Sequence, residues 1–295
     1  MAALDNTSLV QRFIKLPAAQ RRLFLEKLGS KGITLAQLPI PVSRHDEARV
    51  PLSYAQQRQW FLWQLEPDSS AYHIPAALHL RGALDIAALE RALSELVVRH
   101  EALRTVFETL DGEASQVVQP AQPLVIEQHT VANGGPVQIK AFIDATLQQP
   151  FDLLNGPLLR VRLLHLAPEE QVLVIAQHHI VSDGWSMQIM VRELIELYQG
   201  YSQGRPVSLP ALPIQYADYA IWQRCWMEAG ERERQLAYWT EQLGGEQTLL
   251  QLPHDRPRPA ISSHRGQRCD IAIDAALADA LKHASRREGV TLFML

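Results

Sequence analysis

The chain has 295 residues, of which 47% are hydrophobic and 20% charged, a composition typical of a folded globular protein with room for two domains. Its formal net charge of −4 gives no overall basic surface for nucleic acid, and the sequence has neither a signal peptide nor an apolar run of about 18 residues that would indicate a membrane protein. Cys225 and Cys269 belong to no motif, which predicts reduced thiols in a cytoplasmic protein.

Residues 1–40 predict a small helical leader, in which Pro17 separates two amphipathic stretches and Gly29 and Gly32 end the second. The first 38 residues hold six basic against two acidic residues, an excess of four positive charges. Two interpretations stay open: a helical hairpin that packs on the main body, or a docking element for another polypeptide. Residues 39–49, with two prolines and several charges, are typical of a linker.

The next segments alternate helices with hairpins. Residues 53–65 predict a helix whose aromatic side chains are more typical of core than of a ligand site, and Asp85 caps a strongly amphipathic helix. The other predicted elements are a hairpin with an Asp111-Gly112 turn, a helix over 137–148, and a hairpin that turns at residues 168–169. This order predicts an α/β layered lobe, a sheet with helices on one side.

A buried strand is predicted over residues 171–181, and it carries the histidine pair His178 and His179. Because successive strand residues face opposite sides, the two imidazoles have different surroundings. We expect His178 to be a packed core residue and His179 to face a cleft, where an imidazole can accept a proton near neutral pH. Adjacent strand histidines diverge and no second cluster has ligand spacing, so no metal site is predicted.

Asp183 and Gly184 lie between this strand and a helix predicted over residues 187–198. Asp183 is placed to cap that helix, a role we favour over direct proton transfer. Gly184 permits an unusual φ and a close approach of substrate to the backbone. The N–H groups at the helix start are candidates to face developing negative charge.

The C-terminal part predicts a helix over 214–228, a proline-rich linker over 252–266, a strand over 268–273 and a helix over 275–286. The sequence ends in the apolar run 290–295. This pattern predicts the start of a second, similar lobe that is cut off.

Four segments together resemble the condensation domains of nonribosomal peptide synthetases, in the chloramphenicol-acetyltransferase-like superfamily. They match the first four signature motifs of that family in order and spacing: residues 53–61 (SYAQQRQWF), 99–107 (RHEALRTVF), 177–186 (QHHIVSDGWS) and 216–222 (YADYAIW). The resemblance implies a leader at 1–40, an N-terminal lobe at 50–252, and a linker with the truncated start of a C-terminal lobe at 253–295.

The resemblance further implies peptide-bond formation between a donor acyl or peptidyl thioester and an acceptor aminoacyl thioester. Both substrates are carried on phosphopantetheine arms of carrier proteins, and no cofactor binds the domain directly. His179 matches the family's catalytic histidine, as a general base or as a group that orients the amine. His178 matches the histidine that precedes it.

The resemblance also implies roles for residues near the histidines. Asp183 matches a structural aspartate with an arginine partner, for which Arg104 is the candidate. Gly184 would line the reaction centre, and Trp185 and Ser186 are candidates for the substrate channel. This continuation is typical of the subgroup that joins two L-configured residues.

The implied partners are carrier proteins, an adjacent adenylation domain, and an upstream synthetase that docks through the leader unless the domain starts the chain with a fatty acyl group. Neither nucleic acid nor a membrane is an expected partner, and a siderophore or lipopeptide product fits equally well. The alternatives are a stand-alone acyltransferase, an epimerisation domain, or an inactive fragment that acts only as a carrier-binding module.

Overall fold

A computed structural model describes residues 6–43, 50–131, 134–245, 251–257, 269 and 271–295. Internal contacts divide the chain into two compact units, residues 1–252 and 253–295. The functional division into leader, first lobe and start of a second lobe stays a prediction.

Among the described residues, the first unit contains eight α-helices and seven strands, and the second contains one α-helix. The helices are α1 (Asn6–Lys15), α2 (Ala18–Gly29), α3 (Tyr54–Leu65), α4 (Ile86–Arg99), α5 (Pro136–Gln148), α6 (Gly184–Ser202), α7 (Tyr216–Trp226), α8 (Arg232–Leu243) and α9 (Ala275–Glu288). The strands are β1 (Val50–Pro51), β2 (His73–Arg81), β3 (Thr105–Leu110), β4 (Glu113–Val118), β5 (Glu127–Thr130), β6 (Leu159–Ala167) and β7 (Glu170–His178).

The strands described form two sheets. The larger has the order β2-β7-β6-β5, with antiparallel pairs except for the parallel pair β5 and β6, and the smaller has the order β1-β4-β3. Both predicted hairpins are present. In the first, Asp111 and Gly112 have φ values of 52° and 83°, the geometry of a two-residue turn that matches the twist of the strands.

Helices cover both faces of the larger sheet, which corrects the prediction of helices on one side. Leu163, Leu173 and Ile175 pack against α4 and α6. Leu164 and Val174, which point the opposite way along the same strands, pack against residues of α5. Residues 172–176 of β7 are apolar and buried on both faces, as expected for a strand that is covered on both sides, whereas β6 carries Arg160 and Arg162 between its buried apolar residues.

Strands β2 and β5 are the edge strands of the larger sheet, and the sequence pattern did not predict them. Strand β2 contains Pro75 and several exposed residues, and β5 has the polar sequence EQHT. Such residues are common in edge strands and carry little of the β-branched pattern by which a strand is recognised. Strand β2 matters for the site because it pairs His73 with His178.

The leader helices pack on α7. Val10 and Phe13 of α1 are fully buried in one cluster with Trp222 and Cys225, so the apolar side of the leader is part of the first unit. The Arg21 guanidinium donates hydrogen bonds to the carbonyl oxygens of Leu16 (3.0 Å) and Ile14 (3.1 Å). The interpretation as a hairpin on the main body therefore fits the structure, and a docking role stays open for the outer side.

In the second unit, α9 is capped by Asp274, whose side chain accepts a hydrogen bond from the Leu277 N–H at 2.9 Å. Residues 271–273 of the predicted strand 268–273 lie in no strand. Residues 268 and 270 lie outside the described residues, as do 44–49 of the first predicted linker and 258–266 of the second.

We predict that Phe13→Ala lowers the free energy of unfolding of the first unit by about 3 kcal/mol, because it leaves a cavity between the leader and α7. Leu23→Ala is the control, since Leu23 lies on the same hairpin but is 59% exposed. Urea unfolding of both variants measures the difference. Equal effects of the two substitutions would show that the leader is not packed as described.

Candidate functional site

The two histidines at the end of β7 differ in burial. His178 is 3% exposed, whereas His179 lies at the surface. The His178 N–H donates to the Leu158 carbonyl oxygen at 3.2 Å, and the His179 N–H donates to that of Tyr72 at 2.8 Å. Because backbone on both sides of β7 holds this end of the strand, the register that buries one imidazole exposes the other.

His178 is a packed, neutral imidazole. Its Nδ1 accepts the Ile180 N–H at 3.1 Å, so the ring proton is on Nε2, and its ring lies 6.1 Å from that of His73 and 6.3 Å from that of Phe151. Burial lowers the pKa of His178 to about 4, and the neighbouring His73 and His179 add to the shift. The side chain thus fixes the turn that presents His179.

Asp183 caps α6. Its Oδ1 accepts hydrogen bonds from the Ser186 N–H (2.8 Å) and the Ser186 hydroxyl (2.7 Å), and these bonds lower the pKa of the carboxyl, to which Trp185 N–H also contributes. The Met187 N–H donates to the Asp183 carbonyl oxygen at 3.0 Å. Asp183 therefore holds the first turn of α6 through its side chain and its carbonyl oxygen, and the role of the remaining N–H groups of this helix start toward developing negative charge stays a prediction.

Gly184 has no special backbone strain. Its φ is not among the positive values in the described chain, so the expected unusual φ is absent. Apart from its chain neighbours and the backbone of its own helix, no described atom lies within 4 Å of the position that a Cβ would take. The space in front of Gly184 is open, as a close approach of substrate requires.

A pocket of about 140 Å³ contains His179. Its walls are one face of α3, the turn after β7, the start of α6, and Tyr216. The polar residues that line it are Gln56, Arg58, Gln59, His179, Ser182, Asp183, Ser186 and Tyr216. Two larger depressions contain neither histidine: one of about 320 Å³ lies between α4 and residues 207–215, and one of about 490 Å³ lies along α6.

Tyr216 joins two walls of this pocket. Its hydroxyl lies 2.9 Å from the Ser53 hydroxyl, which links the start of α7 to the residue that caps α3. Burial raises the pKa of Tyr216, so the hydroxyl stays protonated in the physiological range. Trp185, a predicted channel residue, is 76% exposed and is not among the pocket residues, whereas Ser186 is.

Arg104 has other partners than Asp183. Its Nη2 donates to Glu101 Oε1 at 3.4 Å and its Nη1 donates to the Gln119 carbonyl oxygen. It lies at the end of a short 3₁₀ turn before β3 and does not line the pocket. No ion pair between Asp183 and an arginine occurs within the described ranges, so the predicted Arg104–Asp183 pairing is not supported.

The described residues contain no cluster of three or more histidine, cysteine, aspartate or glutamate side chains suited to a metal ion. In the same residues, every helix is too short or too polar to cross a membrane.

Comparison with known proteins assigns the family. The model of the condensation domain matches residues 46–295. This chain belongs to the condensation domain family. The fold is the layered chloramphenicol-acetyltransferase-like fold that the signature segments implied.

The relatives are peptide synthetases. The chain is 47% identical over 277 residues to malpinin synthetase of Mortierella alpina, and 41% identical over 265 residues to the chondramide synthase cmdD of Chondromyces crocatus. These matches cover 93% and 88% of this chain but 4% and 7% of the relatives. The chain thus spans less than a tenth of the length of these two relatives.

Solved structures agree on the fold. The X-domain from teicoplanin biosynthesis is 32% identical with a TM-score of 0.74, and the match covers 86% of this chain and 56% of that one. The SgcC5 protein of Streptomyces globisporus is 29% identical with a TM-score of 0.62, over 83% of this chain and 57% of that one.

Sequence reasoning missed three pocket residues of this condensation domain: Arg58, Gln59 and Tyr216. The α3 segment was interpreted as core. Trp60 is indeed buried, but residues 55 and 59, one helical turn apart, line the pocket with Arg58, which is exposed. The available signal was that these residues belong to the first and fourth signature segments.

His178 makes the stability of the fold pH-dependent. Its pKa is about 4 in the folded chain against 6.5 in the unfolded chain, so stability is full above pH 6.5 and falls as the pH drops towards 4. We predict a loss of about 2 kcal/mol from this group between pH 7 and pH 5. Urea unfolding of wild type and His178→Asn at both pH values measures it, and an unchanged pH dependence in the variant would contradict the assignment.

The capping role of Asp183 predicts that two substitutions at this position differ in their effect on stability. Asp183→Ala removes the acceptor for Ser186 and is expected to cost about 1 kcal/mol, whereas Asp183→Asn keeps an acceptor oxygen and is expected to cost only a few tenths. Denaturation midpoints, together with hydrogen exchange at the first turn of α6, compare the two. Equal losses would mean that charge rather than capping is the contribution of Asp183.

Proposed function

We propose that the chain forms amide bonds between two thioester substrates carried by partner domains of a nonribosomal peptide synthetase. The observation that carries the proposal is the placement of His179, an accessible imidazole in a polar pocket, next to a turn that the buried His178 holds through the Ile180 N–H. Membership of the condensation domain family and the synthetase relatives support the same chemistry.

In this reaction the acceptor amine attacks the carbonyl carbon of the donor thioester. A carbon–nitrogen bond forms, the carbon–sulfur bond breaks, and the proton lost by the amine ends on the departing phosphopantetheine thiol. His179 accepts that proton or holds the amine in the attacking orientation. His178 and Asp183 act through the backbone that they fix, and Gly184 leaves room for the acyl chain.

The partners follow from this chemistry. Donor and acceptor carrier proteins deliver the substrates on phosphopantetheine arms, and an adenylation domain of the same cytoplasmic synthetase loads the acceptor. The leader contacts an upstream synthetase protein through its outer, basic side. Arg12, Lys15 and Arg22 are exposed there, while the apolar side of the leader is occupied by α7.

A second candidate is a module that binds partners without catalysis. It is favoured by the similarity to the X-domain, which has also been solved in a complex with OxyB. In this chain, however, the exposed histidine and its polar pocket provide the groups that catalysis requires.

The test uses this chain extended through the remainder of the domain with the corresponding segment of malpinin synthetase. Loaded donor and acceptor carriers are mixed with it, and the dipeptidyl carrier is followed by intact-protein mass spectrometry. We predict that His179→Ala lowers the rate at least about 100-fold. His79→Ala is the matched control. His79 lies on the edge strand β2, is also accessible, and pairs with Glu170 of β7.

The outcomes separate the candidates. Equal rates for wild type and His179→Ala would remove the catalytic role of His179. Transfer from a coenzyme A thioester in place of the donor carrier would favour a stand-alone acyltransferase. Carrier binding without product from the wild type would favour the binding module.

A further inference from the structure

Gln59 is a buried amide on the wall of the His179 pocket. It is 5% exposed, and its Oε1 has no hydrogen-bond partner among the described residues. It lies on the face of α3 that lines the pocket. A polar atom that is nine-tenths buried, unpartnered and beside the candidate reaction centre needs a physical explanation.

The neighbouring glutamine shows the contrast. Gln56 lines the same pocket, but its Oε1 accepts the Ser53 N–H at 3.0 Å, and its side chain also meets Gln116. Gln56 thus has a structural role in capping α3. Gln59 makes no comparable bond through its carbonyl oxygen.

An unpaired buried carbonyl oxygen costs the fold about 1–3 kcal/mol, since it loses water without gaining a donor. An apolar side chain of similar length, such as methionine, would fill the same volume without that cost. The arrangement is expected where the donor arrives with a ligand. The ligand must then offer an N–H or O–H group within the pocket that holds His179.

We propose that Gln59 Oε1 accepts a hydrogen bond from the attacking amine of the acceptor substrate, an inference that rests on the proposed function. A neutral primary amine has two N–H groups and one lone pair. One N–H is held by Gln59 and the other faces His179, so the lone pair is left for the thioester carbon. Gln59 takes no proton and is a substrate-positioning group, while the proton still passes from nitrogen to the departing sulfur.

The pantetheine arm also carries amide N–H groups, so the amine must be distinguished from the arm. Two acceptor carriers do this: one loaded with alanine, which has the amine, and one loaded with propionate, which lacks it and acts only as a competitive inhibitor. Both present the same arm and the same methyl group.

The variants are Gln59→Met, which removes the acceptor, Gln59→Glu, which keeps an acceptor oxygen, and Gln64→Met as the control at an exposed glutamine of the same helix. In the extended protein, Gln59→Met is expected to lower kcat/KM for the alanyl carrier about 10-fold, the effect of one lost hydrogen bond. The inhibition constant of the propionyl carrier and the KM of the donor carrier stay unchanged. Gln59→Glu retains most of the activity, and Gln64→Met is silent.

The urea midpoint of Gln59→Met distinguishes a substrate-positioning role of Gln59 from a packing role, because the two roles predict changes in opposite directions. In the 295-residue chain, Gln59→Met is expected to raise the urea midpoint of unfolding, because an unsatisfied oxygen is removed. A variant that is more stable and less active toward the acceptor is the expected result. A lower midpoint with equal losses for every substrate would overturn the proposal in favour of packing.

The remaining outcomes are also decisive. Weaker inhibition by the propionyl carrier in Gln59→Met would assign the bond to the arm and overturn the role of the amine. Wild-type kinetics in Gln59→Met, with His179→Ala inactive, would overturn the inference and leave the proposed function intact. An inactive wild type would remove both.

Discussion

The register at the end of β7 is the constraint on which the site depends. Backbone bonds to Leu158 on one side and to Tyr72 on the other hold the last residues of a strand that is buried along its length. A shift of one residue in one direction would place the accessible imidazole in the core, and a shift in the other direction would place the core imidazole in the pocket. Two properties of the buried His178 oppose such a shift. Its ring accepts the Ile180 N–H, and its packed surroundings disfavour a charged ring.

Local pattern was sufficient for the features that depend on neighbours in the sequence. Strand alternation separated His178 from His179, a polar residue before an apolar helix identified the Asp183 cap, and Asp111-Gly112 identified a hairpin. The catalytic role of His179 stays a prediction.

The sequence pattern did not predict features that depend on contacts between segments far apart in the chain. Arg104 donates to the Gln119 carbonyl oxygen, which comes close to it only in the folded chain. The position of α5 on the second face of the sheet depends on the register of β6 and β7. Gln59 looked like one polar residue among several on an aromatic-rich helix. Its distinguishing property, a carbonyl oxygen without a donor, exists only once the surrounding atoms are placed.

The packing of the leader on α7 has a consequence for recombining synthetases. Phe13 and Trp222 share one apolar cluster, and α7, the helix that carries Trp222, begins at Tyr216 in the wall of the His179 pocket. A chimera joined between the leader and α3 would pair foreign aromatic surfaces across that cluster and disturb the first turn of α7. A junction placed ahead of residue 6 keeps the hairpin with its native support, so the leader is best inherited together with the domain that follows it.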